Sequence, residues 1–598
     1  MHVIATAGHV DHGKSTLVRA LTGFDPDRLE AERRRGLSIE LGYCWTYLPP
    51  VGMVAFVDVP GHERFISTML SGIGPVPAVL FVVAADDPWM PQAVEHLAAL
   101  AGLGVSHGVL AVTRSDLADP GPALKLAHAE LADTPMYDIP SVTVSGLTGA
   151  GIDELRSLLT SMVGSLPAPD PTADVRIWVD RSFHIKGAGT VVTGTLPSGR
   201  IAIGDSLACG PQLLRVRGMQ SLGRPVDTAT GVARVALNVT GPGAEALDRG
   251  SVLVTPKAWW VTDVVDVRTT HHSSDLRVPD RPLLHIGATS VATQFRPLAS
   301  GLARIKLDRP LPLRIGDRAL LRDPGNRAVW GVVILDPAPA PLPRRRGAAA
   351  ALASTLTELD GCQDATTEVT RRGMVSRSLL RRIGLDTAQL DVAALERKGF
   401  LVTDDWMLSP RHVAEVREQI HRLVEEQTKA EPLSQGVPLA TAVQSLELPD
   451  LDLVYALIAA PLRISDGRIV GPQSAELPAH LERALDTFGG DLVATPFAAP
   501  TADRLRELGL DATAIAAAAK AGRLLRLAHG VVLMPGADKL AANRLADLPQ
   551  PFTTSEARVL LGTTRRVILP LLEYLDRSGV TRRLPDDRRT VRPAPQPL

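Results

Sequence analysis

Cysteine, net charge and long apolar runs are all scarce in this chain of 598 residues. Its three cysteines, Cys44, Cys209 and Cys362, lie far apart and form no C-x-x-C pair, which argues against a disulfide framework or a zinc site and favours buried free thiols. Lysine and arginine (64) almost balance aspartate and glutamate (65), so a nucleic-acid surface would have to be local. No apolar run reaches the ~18 residues of a membrane span, and no basic segment precedes an apolar one at the N-terminus. We therefore expect a cytoplasmic protein, and the length predicts about three to six domains.

A glycine-rich loop near the N-terminus carries the first motif. Residues 8–15 read GHVDHGKS and fit the phosphate-binding pattern G-x-x-x-x-G-K-[ST], between an apolar run at 3–7 and an amphipathic helical pattern. Backbone N–H groups of such a loop point at phosphates, the amine of Lys14 would reach the outer phosphates, and the hydroxyl of Ser15 would ligate Mg²⁺. The residues predicted to bind the nucleotide here are Gly8, His9, Val10, Asp11, His12, Gly13, Lys14, Ser15 and Thr16.

Short apolar runs alternate with Ala- and Leu-rich helical segments in the N-terminal part of the chain. They predict strands at 40–47, 53–57, 79–85, 109–112 and 142–144. This alternation predicts an α/β domain in which helices cover both faces of a parallel sheet and the ligand lies at the carboxyl ends of the strands.

Three of these strands end in residues that suit a guanine nucleotide with its metal. Asp58 follows the second run and suits a carboxylate on the Mg²⁺ side, while Gly61 can offer its N–H to a γ-phosphate. Asp116 follows the fourth run and can accept from the N1–H and the amine of guanine, and the loop at Ser145 would close over the base. The charged segment 27–36 is either a solvated surface or a segment that orders around the γ-phosphate and Mg²⁺.

In their order and spacing these motifs resemble those of the translational GTPases. The resemblance rests on the phosphate loop, Arg35-Gly36-Leu37-Ser38-Ile39, Asp58-Val59-Pro60-Gly61-His62-Glu63, Thr113-Arg114-Ser115-Asp116 and Ser145-Gly146-Leu147. It implies a GTP-driven switch that ends in GDP, with Mg²⁺ as cofactor and hydrolysis stimulated by the ribosome. His62 then orients the attacking water behind an apolar gate of Val10 and Ile39, and Asp11 is the acidic residue of the phosphate loop. The implied Mg²⁺ ligands are Ser15, Ser38 and Asp58, and the implied base-binding residues are Thr113, Arg114, Asp116, Ser145, Gly146 and Leu147.

The chain departs from the family pattern at two places. Ser38 stands where the family usually has threonine, and it keeps the hydroxyl for Mg²⁺. Thr113 and Arg114 stand where the family usually has asparagine and lysine. Threonine cannot supply an amide contact, and arginine must replace the lysine stem that lies over the base, so we expect guanine to be held less securely than the phosphates.

Beyond a proline-rich linker at 166–171 the pattern changes to short apolar alternations with frequent glycine. Many short strands at close spacing predict two β-barrels, the second of them within 260–336. The strands predicted for the first barrel are 175–179, 189–194, 200–207, 213–219 and 231–239.

Residues 180–195 resemble the second domain of the selenocysteine-specific elongation factors, which are relatives of elongation factor Tu. The resemblance implies a pocket for the amino acid of selenocysteinyl-tRNA. A selenol is an anion at neutral pH whereas serine, its precursor on the same tRNA, is neutral, and charge-assisted hydrogen bonds are roughly twice as strong as neutral ones. The alternative is an ordinary ion pair of Asp180 and Arg181 on a barrel rim. The implied pocket residues are Tyr43, Asp180, Arg181 and Arg234.

The C-terminal part follows a proline-rich stretch at 337–343, predicted as a stiff spacer, and repeats one small unit. A helix, a glycine stop and a short hairpin recur at a period of roughly 60 residues, which predicts four winged helices. The copies lie at 391–406, 511–534 and 567–592, with a weaker one at 451–470.

Arginine is concentrated at the end of the chain, with nine arginines against four acidic residues over 558–592. The resemblance implies that the last winged helices bind an mRNA hairpin beside a recoded UGA codon. A-form RNA hides its major groove, so sequence is read from loop or bulged bases while arginines on phosphates fix the register. A solvated arginine-rich tail is the alternative. The candidate hairpin residues are Arg565, Arg566, Arg582, Arg583, Arg588 and Arg589.

The predicted fold is a multidomain one with an α/β P-loop GTPase domain, two β-barrels and four tandem winged helices. The function that the resemblance implies is GTP-dependent delivery of selenocysteinyl-tRNA to the ribosome by a monomer, guided by the mRNA hairpin. A general aminoacyl-tRNA carrier and a nucleotide-stabilised RNA-binding scaffold with little turnover are the alternatives. The predicted domain bounds are 1–168, 172–257, 260–336, 344–410, 411–475, 476–538 and 539–598.

Overall fold

A computed structural model of the chain describes residues 1–26, 40–60, 66–73, 76–87, 89–187, 189–272, 277–325, 328–343, 347–431, 436–472 and 477–592. The chain forms two compact units, Met1–Asp391 and Val392–Leu598. Within the described ranges, no helix combines the length and the apolar character that crossing a bilayer requires.

A six-stranded sheet forms the core of the N-terminal domain, in the order β2-β3-β1-β4-β5-β6. Its strands are β1 (His2–Ala7), β2 (Gly42–Leu48), β3 (Gly52–Asp58), β4 (Ala78–Ala84), β5 (His107–Thr113) and β6 (Ser141–Thr143). All pairings except that of β2 are parallel, as predicted. The prediction of an all-parallel sheet is wrong at the β2 edge, because β2 pairs antiparallel with β3. Only residues 49–51 join these two strands, whereas a parallel crossover needs a dozen residues or more.

Helices cover both faces of this sheet, as predicted. They are α1 (Lys14–Thr22), α2 (Ile66–Ile73), α3 (Pro91–Gly102), α4 (Gly121–Leu131) and α5 (Ile152–Ser165). Val3 of β1 belongs to an apolar cluster with Leu97 of α3. Its neighbour Ile4 belongs to a second cluster with Leu17 of α1 and Leu159 of α5. Because successive strand residues point to opposite faces, the two clusters are the two sides of the sheet.

The first barrel closes through the ring β10-β15-β7-β8-β14-β11, since β10 and β11 also pair. The predicted strand at 200–207 is instead two strands, because Gly204 takes a left-handed conformation with φ of 98° and turns the chain. The strands of this domain are β7 (Arg176–Ile185), β8 (Gly189–Leu196), β9 (Arg200–Ala202), β10 (Ser206–Cys209), β11 (Gln212–Ser221), β12 (Arg224–Pro225), β13 (Thr228–Thr230), β14 (Ala233–Thr240) and β15 (Val252–Val254).

The second barrel is closed in the order β16-β19-β18-β17-β20-β21 and confirms the prediction for residues 260–336. Inward-facing residues such as Val265, Val267 and Ile305 are fully buried. The strands are β16 (Trp260–His272), β17 (Leu283–Ile286), β18 (Thr289–Ala299), β19 (Leu302–Leu313), β20 (Arg318–Arg322) and β21 (Val329–Asp336).

A buried ion network joins the second barrel to the helices that follow it. Arg371 and Arg372 both contact Glu368, which is fully buried, and both reach Asp336 at the end of β21. Arg372 also donates to the carbonyl of Ala338 (3.0 Å), so the predicted stiff spacer is held against its neighbours rather than standing free. The elements here are α6 (Ala348–Thr357), α7 (Ala365–Arg372), β22 (Met374–Ser376) and α8 (Arg377–Arg382).

The second unit begins with a helix and a hairpin and then repeats three helices followed by a two-stranded hairpin. Gly399, Gly522 and Gly579 follow helices with φ of 86°, 71° and 75°, which confirms the predicted glycine stops. This is the predicted winged-helix region, while the domain bounds stay predictions. Its elements are α9 (Val392–Arg397), β23 (Leu401–Val402), β24 (Trp406–Leu408), α10 (Pro410–Ala430), β25 (Val437–Pro438), α11 (Leu439–Ser445), α12 (Leu451–Leu457), β26 (Arg463–Ser465), β27 (Arg468–Val470), α13 (Ala479–Leu492), α14 (Ala502–Glu507), α15 (Ala512–Lys520), β28 (Leu525–Arg526), β29 (Val532–Leu533), α16 (Ala537–Ala546), α17 (Thr554–Leu560), α18 (Arg565–Arg577), β30 (Thr581–Arg583) and β31 (Arg589–Val591).

Candidate functional site

The phosphate loop lies between β1 and α1, and two of its glycines have backbone conformations that other residues rarely adopt. Gly8 has φ of 131°, and a Cβ there would lie 2.1 Å from the carbonyl oxygen of Val82. Gly13 caps α1 with φ of 82°. The amine of Lys14 donates to the carbonyls of Gly8 (3.0 Å) and His9 (2.7 Å), so it already lies within the loop. The loop can therefore offer phosphates the backbone N–H groups of a helix start and one ammonium.

Oxygen ligands of the kind that Mg²⁺ prefers meet beside this loop. The Ser15 hydroxyl lies 2.7 Å from Oδ2 of Asp58, and Thr6 donates to Oδ1 of the same carboxylate at 2.6 Å. Asp58 is 1% exposed, and its two oxygens are thus aimed by neighbouring hydroxyls. Hard oxygen donors that take one or two positions, with phosphates and water taking the others, suit Mg²⁺. The residues present fit the ion that the resemblance implies.

The predicted base end packs directly against the phosphate loop. The hydroxyl of Thr113 donates to the carbonyl of His12 (2.7 Å), and the guanidinium of Arg114 donates to the carbonyl of Asp11. Asp116 follows two residues later and is exposed. The two residues that depart from the family pattern therefore both hold the backbone of the phosphate loop.

The loop after β6 is ordered by its own hydrogen bonds. The N–H of Thr148 donates to the Ser145 hydroxyl at 3.1 Å. A Cβ on Gly146 would lie 3.2 Å from Cγ2 of Thr16, so the loop abuts the start of α1. Leu147 is 84% exposed. The loop is thus placed beside the phosphate-binding helix, with an apolar side chain open to a ligand.

Two histidines and an aspartate also lie at the nucleotide end of the sheet, next to the phosphate loop. The N–H of Gly8 donates to Nδ1 of His96 at 3.1 Å, and burial lowers the pKa of His96 to about 3, which keeps the ring a neutral acceptor at pH 7. His12 is fully buried with Nε2 3.2 Å from Asp87, and burial lowers its pKa to about 4. Sequence reasoning missed Asp87 although it follows β4 at the ligand edge. His96 lies within a helix, where no pattern singled it out.

Three predicted residues of the phosphate loop differ in their exposure, and others fall outside the described ranges. Val10 is half-buried in the phosphate loop, and Asp11 and Thr16 are exposed there. The predicted residues Ser38, Ile39, Gly61 and His62 lie outside the described residues, so their roles stay predictions.

The four predicted pocket residues come together between β2 and the first barrel. Asp180, 7% exposed, accepts from Nη2 of Arg234 at 2.6 Å and from the hydroxyl of Thr193 at 2.6 Å. The hydroxyl of Tyr43 lies 3.4 Å from the same carboxylate, and burial raises the pKa of Tyr43 above its usual value. The Arg234 guanidinium lies 3.9 Å and that of Arg181 5.5 Å from the centre of the Tyr43 ring. Both cations therefore surround one neutral aromatic ring.

Arg181 is held differently from Arg234. It donates to the carbonyl of Leu41 at 2.6 Å and lies 3.0 Å from the carboxylate of Glu40, whose side chain is 52% exposed. Arg234 is 11% exposed and gives both terminal nitrogens to Asp180. One guanidinium is thus fixed by a buried partner, while the other has a partner that water reaches.

The candidate hairpin arginines divide into exposed ones and a buried one. Arg565 and Arg566 open α18, and Arg582 and Arg583 lie on β30, as predicted. Arg588 is half exposed, 3.6 Å from Asp586. Arg589 does not fit the prediction: it is 4% exposed, with Nε 2.9 Å from Asp576. Its side chain packs against α17 and α18, where it contacts Thr554 and Asp576, and it is therefore not presented at the surface.

Comparison with known proteins identifies the family to which this chain belongs. Residues 1–165 match the elongation factor Tu GTP binding domain, and residues 543–590 match the winged helix of elongation factor SelB. The selenocysteine-specific elongation factor of Desulfomicrobium baculatum is 38% identical over 338 residues, which cover 54% of this chain and 53%, about half, of that protein. That of Escherichia coli (strain K12) is 31% identical over 622 residues, covering 98% of both chains. The chain belongs to the selenocysteine-specific elongation factors.

The crystal structure of a bacterial selenocysteine-specific elongation factor matches 99% of this chain and 100% of its own, with a TM-score of 0.74 and 26% identity. A GTPase domain, two closed barrels and a winged-helix region are the architecture of this family. The selenocysteine-specific elongation factors are translational GTPases, so the α/β domain is the one that binds GTP and GDP.

Proposed function

We propose that this elongation factor delivers selenocysteinyl-tRNA to the ribosome at recoded UGA codons while its last winged helices hold an mRNA hairpin. The observation that carries the proposal is the pocket in which Arg181 and Arg234 surround the ring of Tyr43. A monomer in the cytoplasm, where the ribosome works, is sufficient for this role.

The charges of the pocket support discrimination between selenocysteine and serine. Arg234 is paired with Asp180, and both side chains are almost inaccessible to water, so the guanidinium is held in one position in the pocket. Arg181 has the half-exposed Glu40 as its partner, so a selenolate can replace that carboxylate and keep the guanidinium paired. The hydroxyl of serine is neutral and offers no such exchange, and hydrogen bonds between charged groups are roughly twice as strong as neutral ones.

The nucleotide site supports the switch that delivery requires. Ser15, Ser38 and Asp58 would hold Mg²⁺, which neutralises phosphate charge when it is bound. We assign His62 to the attacking water, with Val10 and Ile39 as the gate. His62→Ala should preserve GTP binding and abolish the ribosome-stimulated release of phosphate. Normal stimulated turnover in this variant would refute the assignment.

The last winged helix supports hairpin binding through five of the six predicted arginines. They lie at the start of α18 and on either side of the β30–β31 turn, and Arg589 is excluded by its burial. Such arginines would fix the register on phosphates, while loop or bulged bases supply the sequence. The five are Arg565, Arg566, Arg582, Arg583 and Arg588.

The test compares one tRNA in its seryl and selenocysteinyl forms. We expect the GTP form of the protein to bind the selenocysteinyl form more tightly, and ribosomes programmed with UGA and the hairpin to stimulate phosphate release. Equal affinities would make the protein a general aminoacyl-tRNA carrier. Preserved RNA binding without stimulated release would make it a nucleotide-stabilised scaffold. Either outcome would overturn the proposal.

A further inference from the structure

A single guanidinium joins three loops at the nucleotide edge of the sheet. Nη1 of Arg114 lies 3.0 Å from each carboxylate oxygen of Asp86, and Nη2 donates to the carbonyl of Asp11. Asp86 follows β4, Arg114 follows β5, and Asp11 lies in the phosphate loop. Asp11, Asp86 and Arg114 together form what we call the arginine bridge. The bridge connects the loop that carries Asp116 to the loop that receives the phosphates.

The backbone at both ends of the bridge is strained. Arg114 has φ of 55° and Asp11 has φ of 65°, left-handed conformations that residues other than glycine rarely adopt. Such conformations persist only where the surroundings hold them, and they cluster at ligand sites. The neighbouring Thr113 hydroxyl holds the next carbonyl of the phosphate loop, that of His12, at 2.7 Å. Two successive side chains thus hold two successive carbonyls.

The bridge contributes little to the stability of the fold. The side chains of Arg114 and Asp86 are 34% and 32% exposed, and ion pairs that water reaches contribute little to folding. Its effect is therefore expected on the relative placement of the loops. Arginine suits this geometry because its planar fork presents two separate terminal nitrogens to two acceptors, whereas lysine presents one compact ammonium.

We propose that Asp86 is a positioning residue for guanine nucleotides. Its carboxylate orients Arg114, which holds the phosphate loop against the loop of Asp116, so that phosphates and base are held together and GDP leaves more slowly than it would without this contact. Asp86 acts through Arg114 and need not touch the nucleotide. The proposal concerns the GTPase domain alone and does not depend on which tRNA the protein carries.

The first test measures the release of a fluorescent GDP analogue from the full-length protein by stopped flow, with excess GDP as the chase. We expect Asp86→Ala to speed release by up to about fivefold, which is the effect expected for an ion pair that water reaches. The matched control is Asp133→Ala, which removes the same charge from an exposed position of the same domain and should leave the rate unchanged. A wild-type release rate for Asp86→Ala would overturn the proposal.

Base selectivity separates positioning from a general loss of structure. IDP lacks the exocyclic amine that Asp116 can accept from, so the ratio of GDP to IDP affinity reports the base contact. Asp86→Ala should lower this ratio while the melting temperature of the nucleotide-free protein stays that of the wild type. An unchanged ratio with a lowered melting temperature would show that Asp86 is only structural.

A double variant tests whether Asp86 acts through Arg114. Arg114→Ala should also speed GDP release, because it removes the guanidinium that contacts both Asp86 and the carbonyl of Asp11. Adding Asp86→Ala to Arg114→Ala should then produce no further acceleration, since the contact is already lost. Fully additive effects of the two substitutions would overturn the mechanism.

Discussion

The barrel pocket and the last winged helix both contain arginines that we propose to bind an anion, yet Arg234 in the pocket and the arginines of the hairpin are held in opposite ways. Arg234 in the pocket is 11% exposed and shares both terminal nitrogens with Asp180. Arg583 on the hairpin is 56% exposed, and its partner Asp587 is 77% exposed. A buried guanidinium stays paired with its carboxylate, whereas an exposed guanidinium can replace its carboxylate partner with a phosphate. Burial, more than residue type, therefore decides what an arginine can do in this protein.

Arg589 shows the same rule within the winged helix itself. It lies next to the half-exposed Arg588 in sequence, but it is buried against Asp576. Its carbonyl and N–H also pair with Phe552, so the residue is part of the framework of the hairpin. The two regions thus differ by how many of their arginines are structural, and the following substitutions test that difference.

The largest effect is expected in the pocket, from Asp180→Ala. The substitution leaves the Arg234 guanidinium buried without its counter-charge, and breaking a buried ion pair in this way costs about 3–5 kcal/mol. Urea unfolding of the full-length variant should shift to clearly lower concentration. The control is Asp227→Ala on the same barrel, where the side chain is exposed and no shift is expected. Equal urea midpoints for the two variants would contradict a stabilising buried ion pair between Asp180 and Arg234.

Arg181→Ala should affect recognition and leave the fold unchanged. Its loss removes the guanidinium that a selenolate would meet, and we expect the preference for selenocysteinyl-tRNA over seryl-tRNA to fall by about 10-fold to 100-fold. Filter binding of the GTP form to both charged tRNAs measures the ratio. Arg200→Ala, an exposed arginine on β9, should keep the wild-type preference. A preference retained in Arg181→Ala would assign discrimination to other residues.

Arg589→Ala should destabilise the last winged helix by about 1–3 kcal/mol, because it removes the partner of the partly buried Asp576. Hydrogen exchange should show faster opening of β30 and β31. The salt dependence of hairpin binding should stay that of the wild type at temperatures where the domain is folded. A lowered salt slope would mean that Arg589 reaches a phosphate after all.

Arg566→Ala should give the smallest effect on structure and a defined one on binding. The residue is exposed at the start of α18, where its Nη2 donates to the carbonyl of Pro500 at 3.0 Å. If it contacts a phosphate, its loss weakens hairpin binding and lowers the salt slope by about one. Binding titrations at several salt concentrations measure the slope, and an unchanged value would place Arg566 outside the RNA surface.

The sequence was sufficient where a motif is local and lies at a strand end. The phosphate loop follows β1, Asp58 ends β3 and Asp116 follows β5, and the carboxyl ends of parallel strands meet at one edge. The pocket was predicted for another reason, since Tyr43 and Arg234 are far apart in the chain and only a family resemblance connected them. The contacts of both residues with Asp180 then agree with that resemblance.

Contacts that depend on the exact side of a short strand could not be predicted. Arg588 and Arg589 are identical neighbours, but Arg588 lies in the turn while Arg589 begins β31 and packs against Asp576. Asp86 and Glu40 were not singled out in the sequence, because nothing around them shows that Arg114 and Arg181 would reach them. The edge strand β2 was predicted at 40–47, but its antiparallel direction was missed although its short connection to β3 was visible.

The carboxylate of Asp336 has a practical bearing on how this protein can be divided. It is 2% exposed at the end of the second barrel, and Arg371 and Arg372 from beyond the proline-rich stretch neutralise it. Cutting the gene at residues 337–343, where composition suggests a domain boundary, would leave this buried acid without its two arginine partners. A fragment meant to keep the GTPase domain and both barrels intact should instead include Arg371 and Arg372.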